Sequence, residues 1–219
     1  AKGYRNSENP AVWKGLIENI LPAPKRLTVP KHHPYMEVDQ LPEFYGWLIR
    51  KNSVSAQSLR FLILTAARNG EARGALYSEI DAKKGIWKLP ASRMKARIEH
   101  RVPLSSEAVS VVESTKAITT GDYVFSTQGV KEITEAALRK LLGGYIKESK
   151  TKHCVLHGFR SSFRVWAETN SSLGFAVLET AIAHRKGNSV ESAYLDNDFI
   201  EDRRVLMEEW SQFLLSGES

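Results

Sequence analysis

Tyr194 stands just after a basic turn, HRKGNS (184–189), and just before a carboxylate cluster, LDNDFIED (195–202). A tyrosine that only packs needs no such surroundings, whereas one that attacks a negatively charged centre does. A free phenol has a pKa near 10, so only about 0.1% is ionised at pH 7. As a nucleophile it needs cationic neighbours or a base. The chain offers five candidates: Arg68, Lys95, His157, Arg160 and His184. In HGFRSSFR (157–164), His157 and Arg160 are three residues apart and share a helix face, with Arg164 one turn later. The guanidinium is a planar bidentate fork and the imidazole adds one hydrogen bond, so the pair is a clamp for a phosphate. A bare H-x-x-R also describes a solvated basic face. In LTAARNGEARGAL (64–76), Arg68 ends a buried apolar helix, where a charge is costly unless paired. Glu71, three residues on, is placed to hold it. This is either a structural ion pair or an arginine aimed into a cleft and oriented by Glu71. Lys95, in ASRMKARIEH (91–100), falls at or near a hairpin turn. There it serves solubility, or it reaches a leaving oxygen as a proton donor.

These residues need a scaffold. EVDQLPEFYGWLIRK (37–51) and SAQSLRFLILTAARN (55–69) have helical character, the second strongly apolar. Asn69-Gly70 marks a turn, and EARGAL continues as helix. YSEID leads into a β region, where IWKLP and ARIEHRVPL alternate with period two around ASRMK. YVF (123–125) is a short extended piece. Helices are expected over 106–116, 132–147, 158–169, 174–183, 189–195 and 199–215. The fold class is therefore mostly α with a small antiparallel β-sheet (α+β). Upstream, PAPKRLTVPKHHP (22–34) has four prolines and five basic residues, the composition of a linker.

The chain has 219 residues and a net charge of +6, which suits a polyanionic partner. Its single cysteine, Cys154, permits no intrachain disulfide. HCVLH (153–157) invites a zinc site, yet no second Cys/His cluster completes one, so a small buried thiol is the better expectation. No stretch of 18 apolar residues crosses a membrane. No G-x-x-x-x-G-K-[ST] and no G-x-S-x-G is present, which argues against a Walker-type ATP site and a hydrolase elbow. The four acids of LDNDFIED could suggest a two-metal nuclease, but an acidic cap on the following helix explains them more simply.

Each piece is weak alone; the order is specific. Arg68, a hairpin Lys95, His157-x-x-Arg160, His184 and then Tyr194 is similar to the active-site order of the tyrosine recombinases, and the chain resembles a phage-type or genomic-island integrase. RFLILTAARNGEARGALYSEID resembles the first-arginine block of that family, RMKARIEHRVPLS its lysine hairpin and LHGFRSSFRVWA its H-x-x-R helix. ETAIAHRKGNSVESAYLDNDFIEDRRVLMEEW resembles the terminal His-to-Tyr block. The resemblance implies a tyrosine recombinase catalytic domain at 35–219, a linker at 22–34 and, at 1–21, the tail of a core-binding domain. It also implies that further DNA-binding parts lie upstream.

The activity implied is site-specific recombination of a mobile element such as a prophage, in integration or excision, through a 3′-phosphotyrosine formed by Tyr194. Arg68 and Arg160 would bind the non-bridging oxygens, His184 would add a hydrogen bond, and Lys95 would protonate the departing 5′ oxygen. His157 would assist proton transfer, with Glu71 supporting Arg68. No metal and no cofactor is implied. The partners implied are double-stranded DNA at attachment sites, three further copies in a homotetramer, and accessory DNA-bending or directionality proteins. The helix at 199–215 would help pack protomers together. The setting is cytoplasmic, with no membrane. A topoisomerase-like strand nicking and resealing enzyme uses the same residues, and a catalytically silent DNA-binding module remains the non-enzymatic alternative.

Overall fold

The computed structural model describes residues 33–183 and 198–218, all within one compact unit spanning His33–Ser219. The expectations for 1–21 and for most of the 22–34 linker, and those for His184, Tyr194 and the 189–195 helix, lie outside the described residues.

The centre of the unit is α2 (Val54–Thr65), after α1 (Leu41–Ile49). Ser53 starts α2 by accepting the Ala56 N–H at 3.2 Å. From Ala56 to Thr65 all residues but Arg60 are buried, so this helix is apolar almost all round and takes neighbours on every side. It ends on Ala66, which is left-handed at φ 48°. A short α3 (Asn69–Arg73) follows. The sequence expectation differs here in two details. Arg68 is not the last residue of the apolar helix but an extended residue (φ −73°, ψ 145°) between two helices, and Asn69-Gly70 opens α3 rather than forming a separate turn. The cause is local: the Glu71 carboxylate accepts the Arg68 backbone N–H at 3.0 Å and so starts a new helix at that point.

A three-stranded antiparallel sheet comes next, in the order β1 (Ile80–Asp81), β2 (Ile86–Leu89), β3 (His100–Pro103). Trp87 faces Val102 and Leu89 faces His100 across the β2–β3 pair. The hairpin that joins them is longer than the alternation suggests, because strand pairing begins only at His100. Lys95 lies in its turn, exposed. Then come α4 (Ser106–Thr115), α5 (Glu135–Ser149), α6 (Gly158–Asn170), α7 (Phe175–Ala181) and α8 (Ile200–Leu215). Between α4 and α5, Tyr123 of the YVF piece bridges Leu76, and Val124 and Phe125 are fully buried.

The helix at 199–215 spends its apolar face on its own domain, whatever else it contacts. Trp210 is fully buried, packs on Trp166 and Phe163 at ring distances of 4.9 and 5.4 Å, and donates its indole N–H to the Ile63 carbonyl at 2.9 Å. Burying such aromatics is the largest contribution per residue that a core obtains.

The start of α6 is pressed against the chain entering the unit. Val155 donates its N–H to the Pro34 carbonyl at 3.1 Å. A Cβ on Gly158 would meet that same oxygen at 2.2 Å and the Tyr35 Cα at 2.8 Å. Both are backbone atoms that have no side-chain torsion with which to yield. Gly158→Ala is therefore expected to cost about 1–3 kcal/mol through overpacking. In a thermal melt this reads as a Tm roughly 3–10 °C lower. An unchanged melting curve would show that the entry strand does not press on α6.

Candidate active site

Three elements meet where α2 ends, α3 begins and α6 starts. The Glu71 carboxylate, 7% exposed, accepts the Arg68 guanidinium at 2.8 Å through one oxygen and the Arg68 backbone N–H at 3.0 Å through the other. Backbone and side chain of Arg68 are thus fixed by one buried anion. Arg68 also donates to the Ala183 carbonyl at 3.2 Å, so it reaches the residue that precedes His184. Arg160, on the first turn of α6, donates to the Ala66 carbonyl at 3.0 Å. Ala66 and Ala183 are both left-handed, at φ 48° and 46°. Such a backbone is unfavourable for alanine by about 1–2 kcal/mol. Each of the two strained carbonyls is taken by one arginine of the site.

The field here is positive. Burial first and neighbouring Arg68 second lower the Arg160 pKa to about 10, against the opposing effect of Glu71. His157, one residue before α6, keeps a solvent-exposed surface. Its pKa is also lowered, first by partial burial and then by His33, Arg160 and Arg68. It is therefore a neutral imidazole at pH 7, able to accept a proton. The His33 ring meets it edge-on at 4.7 Å.

Lys95 opens onto the same groove as Arg68. That groove, of about 460 Å³, is lined by Arg68, Gly70, Glu71 and by Ser92, Arg93, Met94, Lys95 and Arg97 of the hairpin. Arg93 ties the hairpin to the site: it pairs with Glu79 and donates to the Glu71 carbonyl at 2.7 Å. Gly74 makes room for it, since a Cβ there would lie 2.9 Å from the Arg93 guanidinium.

Among the sequence candidates, Arg68 joins Glu71, Arg160 and His157 lie close enough to feel its charge, and Lys95 borders the groove that Arg68 and Glu71 line. His184 and Tyr194 lie outside the described residues. Arg164 does not join them. It pairs with Glu179 and Glu168 and lies over the Phe175 ring, because one turn beyond Arg160 the face of α6 has rotated onto α7. Arg93 and His33 escaped the sequence reasoning. Arg93 carried a signal in its position two residues before Lys95, whereas His33 carried none. Cys154 is 2% exposed, and burial pushes its thiol up to about 11. Among the described residues no group of three His, Cys, Asp or Glu side chains is placed to hold a metal ion, and no helix is long and apolar enough to cross a membrane.

The model of the phage integrase family matches residues 34–201. The chain belongs to that family. It is 31% identical over 202 residues to the prophage integrase IntA of Escherichia coli (strain K12) and 28% identical over 206 residues to the integrase of Enterobacteria phage P4. These alignments cover 86% and 85% of this chain but 46% of each relative, so the chain spans about half the length of the curated relatives it matches. In structure the integrase chain resembles lambda integrase (75–356), solved as a dimer bound to a COC′ core site, with a TM-score of 0.56 at 15% identity over 73% of this chain and 60% of that one. It also resembles the XerA recombinase, with a TM-score of 0.55 at 18% identity over 84% of this chain and 66% of that one. The fold is that of a tyrosine recombinase catalytic domain.

The His157 environment has a measurable consequence. In the free protein its imidazole should titrate below its ordinary 6.5, and Arg160→Gln should move the midpoint up by removing a nearby positive charge. Between the two midpoints the unfolded chain binds more protons than the folded one. This contribution therefore leaves stability untouched above pH 6.5 and lowers it as the pH falls below that value. Histidine-resolved NMR titration checks the midpoint, and a value at or above 6.5 would contradict the geometry.

Proposed function

We propose that this chain is the catalytic part of a site-specific integrase that cuts and rejoins DNA for a mobile element through Tyr194. The observation that carries the proposal is the grouping of Arg68, Arg160 and His157, with Arg68 oriented by buried Glu71 and Lys95 on the groove that Arg68 and Glu71 line.

In the reaction the Tyr194 oxygen attacks a DNA phosphorus and forms a 3′-phosphotyrosine bond. The phosphorus–O5′ bond breaks, and the 5′ oxygen leaves with a proton from the Lys95 ammonium. Neutral His157 takes the phenol proton. Arg68 and Arg160 hydrogen-bond the non-bridging oxygens, where charge builds in the transition state. Their scaffold contacts use only some of the five N–H donors on each guanidinium. Each arginine thus keeps donors for a phosphate while its orientation is fixed. His184 adds a further hydrogen bond. Rejoining is the reverse, with the 5′ hydroxyl of a second strand as nucleophile. The covalent link conserves the phosphodiester bond energy, so neither ATP nor a metal is required. The partners are duplex DNA at attachment sites, other copies of the integrase in a tetramer, and accessory DNA-bending or directionality proteins. The setting is cytoplasmic.

A nicked suicide duplex carrying the element's attachment core tests this with the full-length integrase in chelator and without ATP. A denaturation-resistant protein–DNA adduct should form, and Tyr194→Phe should form none. Arg68→Ala and Arg160→Ala should slow its formation by about 10³-fold or more. An adduct that persists in Tyr194→Phe, or that needs a metal, would refute the mechanism.

Lys95 has its own test. A duplex with sulfur in place of the bridging 5′ oxygen expels a thiolate that needs no proton. Lys95→Ala should cut the natural duplex slowly and the sulfur duplex at the wild-type rate. Equal slowing on both duplexes would remove Lys95 as the proton donor.

A further inference from the structure

The two described residues that flank the 184–197 segment are both held. On one side the Ala183 carbonyl accepts Arg68 at 3.2 Å. On the other, the Asp198 carboxylate is paired with Arg101 of β3 at 2.5 Å and with Arg203 of α8 at 3.7 Å. Arg203 is fully buried and donates to the Arg101 carbonyl at 2.8 Å, so helix, strand and Asp198 meet at one point. A buried guanidinium requires a compensating anion close by, and Asp198 supplies one. Burial lowers the Arg203 pKa to about 10, with Asp198 opposing and Arg101 adding to the shift. Arg204, on the next residue, donates to the Lys84 carbonyl at 3.2 Å and fastens α8 to the β1–β2 turn as well.

Two further facts give this cluster a purpose. Ala183 and Asp198 line one small cavity of about 220 Å³, together with Ala96, Ile98, His100 and Arg101 of the lysine hairpin. Ala183 and Asp198 therefore lie at one place, beside the hairpin that carries Lys95. Tyr194 is four residues before Asp198, and four residues span at most about 14 Å. The place of Asp198 thus bounds where the tyrosine can reach.

We propose that Asp198 is a positioning residue for Tyr194: its ion pairs with Arg101 and Arg203 clasp the end of the tyrosine segment to the hairpin that bears Lys95. Nucleophile and leaving-group donor are then referred to one rigid support. This rests on the role proposed above for Tyr194.

The test uses full-length integrase, the nicked suicide duplex at saturating concentration, and a separate measurement of duplex affinity. Asp198→Asn should slow adduct formation by about 10- to 100-fold, the scale expected for a misplacement near 1 Å. Its Kd for the duplex should stay close to wild type, its rate is compared per folded molecule because buried Arg203 loses its anion, and Asp198→Glu should restore that rate. Arg101→Met should slow the reaction similarly. The Asp198→Asn/Arg101→Met double variant should be no slower than Asp198→Asn alone, because that change already removes the pair with Arg101. A wild-type rate in Asp198→Asn overturns the clasp. A loss that only follows weakened DNA binding or a lowered folded fraction overturns it too, by assigning Asp198 a structural part. An adduct surviving in Tyr194→Phe would instead overturn the choice of nucleophile, so the two failures are separable.

Discussion

The Glu71 carboxylate is held between the guanidinium and the backbone N–H of the residue three positions before it, and is almost wholly removed from water. A carboxylate in that setting is stable only while both contacts persist, and removing one partner of such a pair costs about 3–5 kcal/mol. Three things follow from this single anion. It ends the apolar run of α2 and starts α3 at Asn69. It fixes where the Arg68 guanidinium points. It also supplies negative charge beside Arg160, opposing the burial and the Arg68 charge that together lower the pKa of that guanidinium. The site holds more positive charge than Glu71 cancels. A phosphate diester is the kind of group that completes such a balance, because its charge is spread over the oxygens two planar forks can grip.

Strain is placed around the same carboxylate. Two alanines adopt a conformation that glycine would take without penalty, and both offer their carbonyls to the arginines. These carbonyls stand where two chain segments end, α2 on one side and α7 on the other. Arg68 and Arg160 therefore serve as staples between elements distant in sequence as well as candidate ligands of phosphate. Their double duty explains why so small a group of residues is supported by so many parts of the fold.

Much of this was legible in the sequence, for physical reasons. Helices α4, α6, α7 and α8 follow from apolar spacing, and the β2–β3 hairpin from alternation. Glu71 announces itself because an arginine at the end of an apolar run demands a partner nearby. The features that were missed depend on residues far apart in the chain. Arg164 shares the spacing of Arg160 but finds Glu179 on α7, and that encounter is decided by helix packing rather than by spacing within α6. His33 reaches His157 only because Pro34 crosses the start of α6. Of the acids after Tyr194 read as a helix cap, Glu201 and Asp202 do sit in the first turn of α8, whereas Asp198 bridges to a strand nearly a hundred residues earlier. The same holds for α8, whose tryptophan finds its hydrogen-bond acceptor on α2.

Cys154 carries a consequence of another kind. It is the single cysteine of the chain, shielded by the core, and its thiol is pushed up to about 11. Thiolate is the reactive form, and at neutral pH about one molecule in 10⁴ would carry it. Alkylating and disulfide-forming reagents therefore meet a chemically silent polypeptide. A cysteine introduced on the surface becomes the one addressable thiol, with no background to remove first. Fluorophores or spin labels can then report on the hairpin or on α8 without altering a native residue of the core.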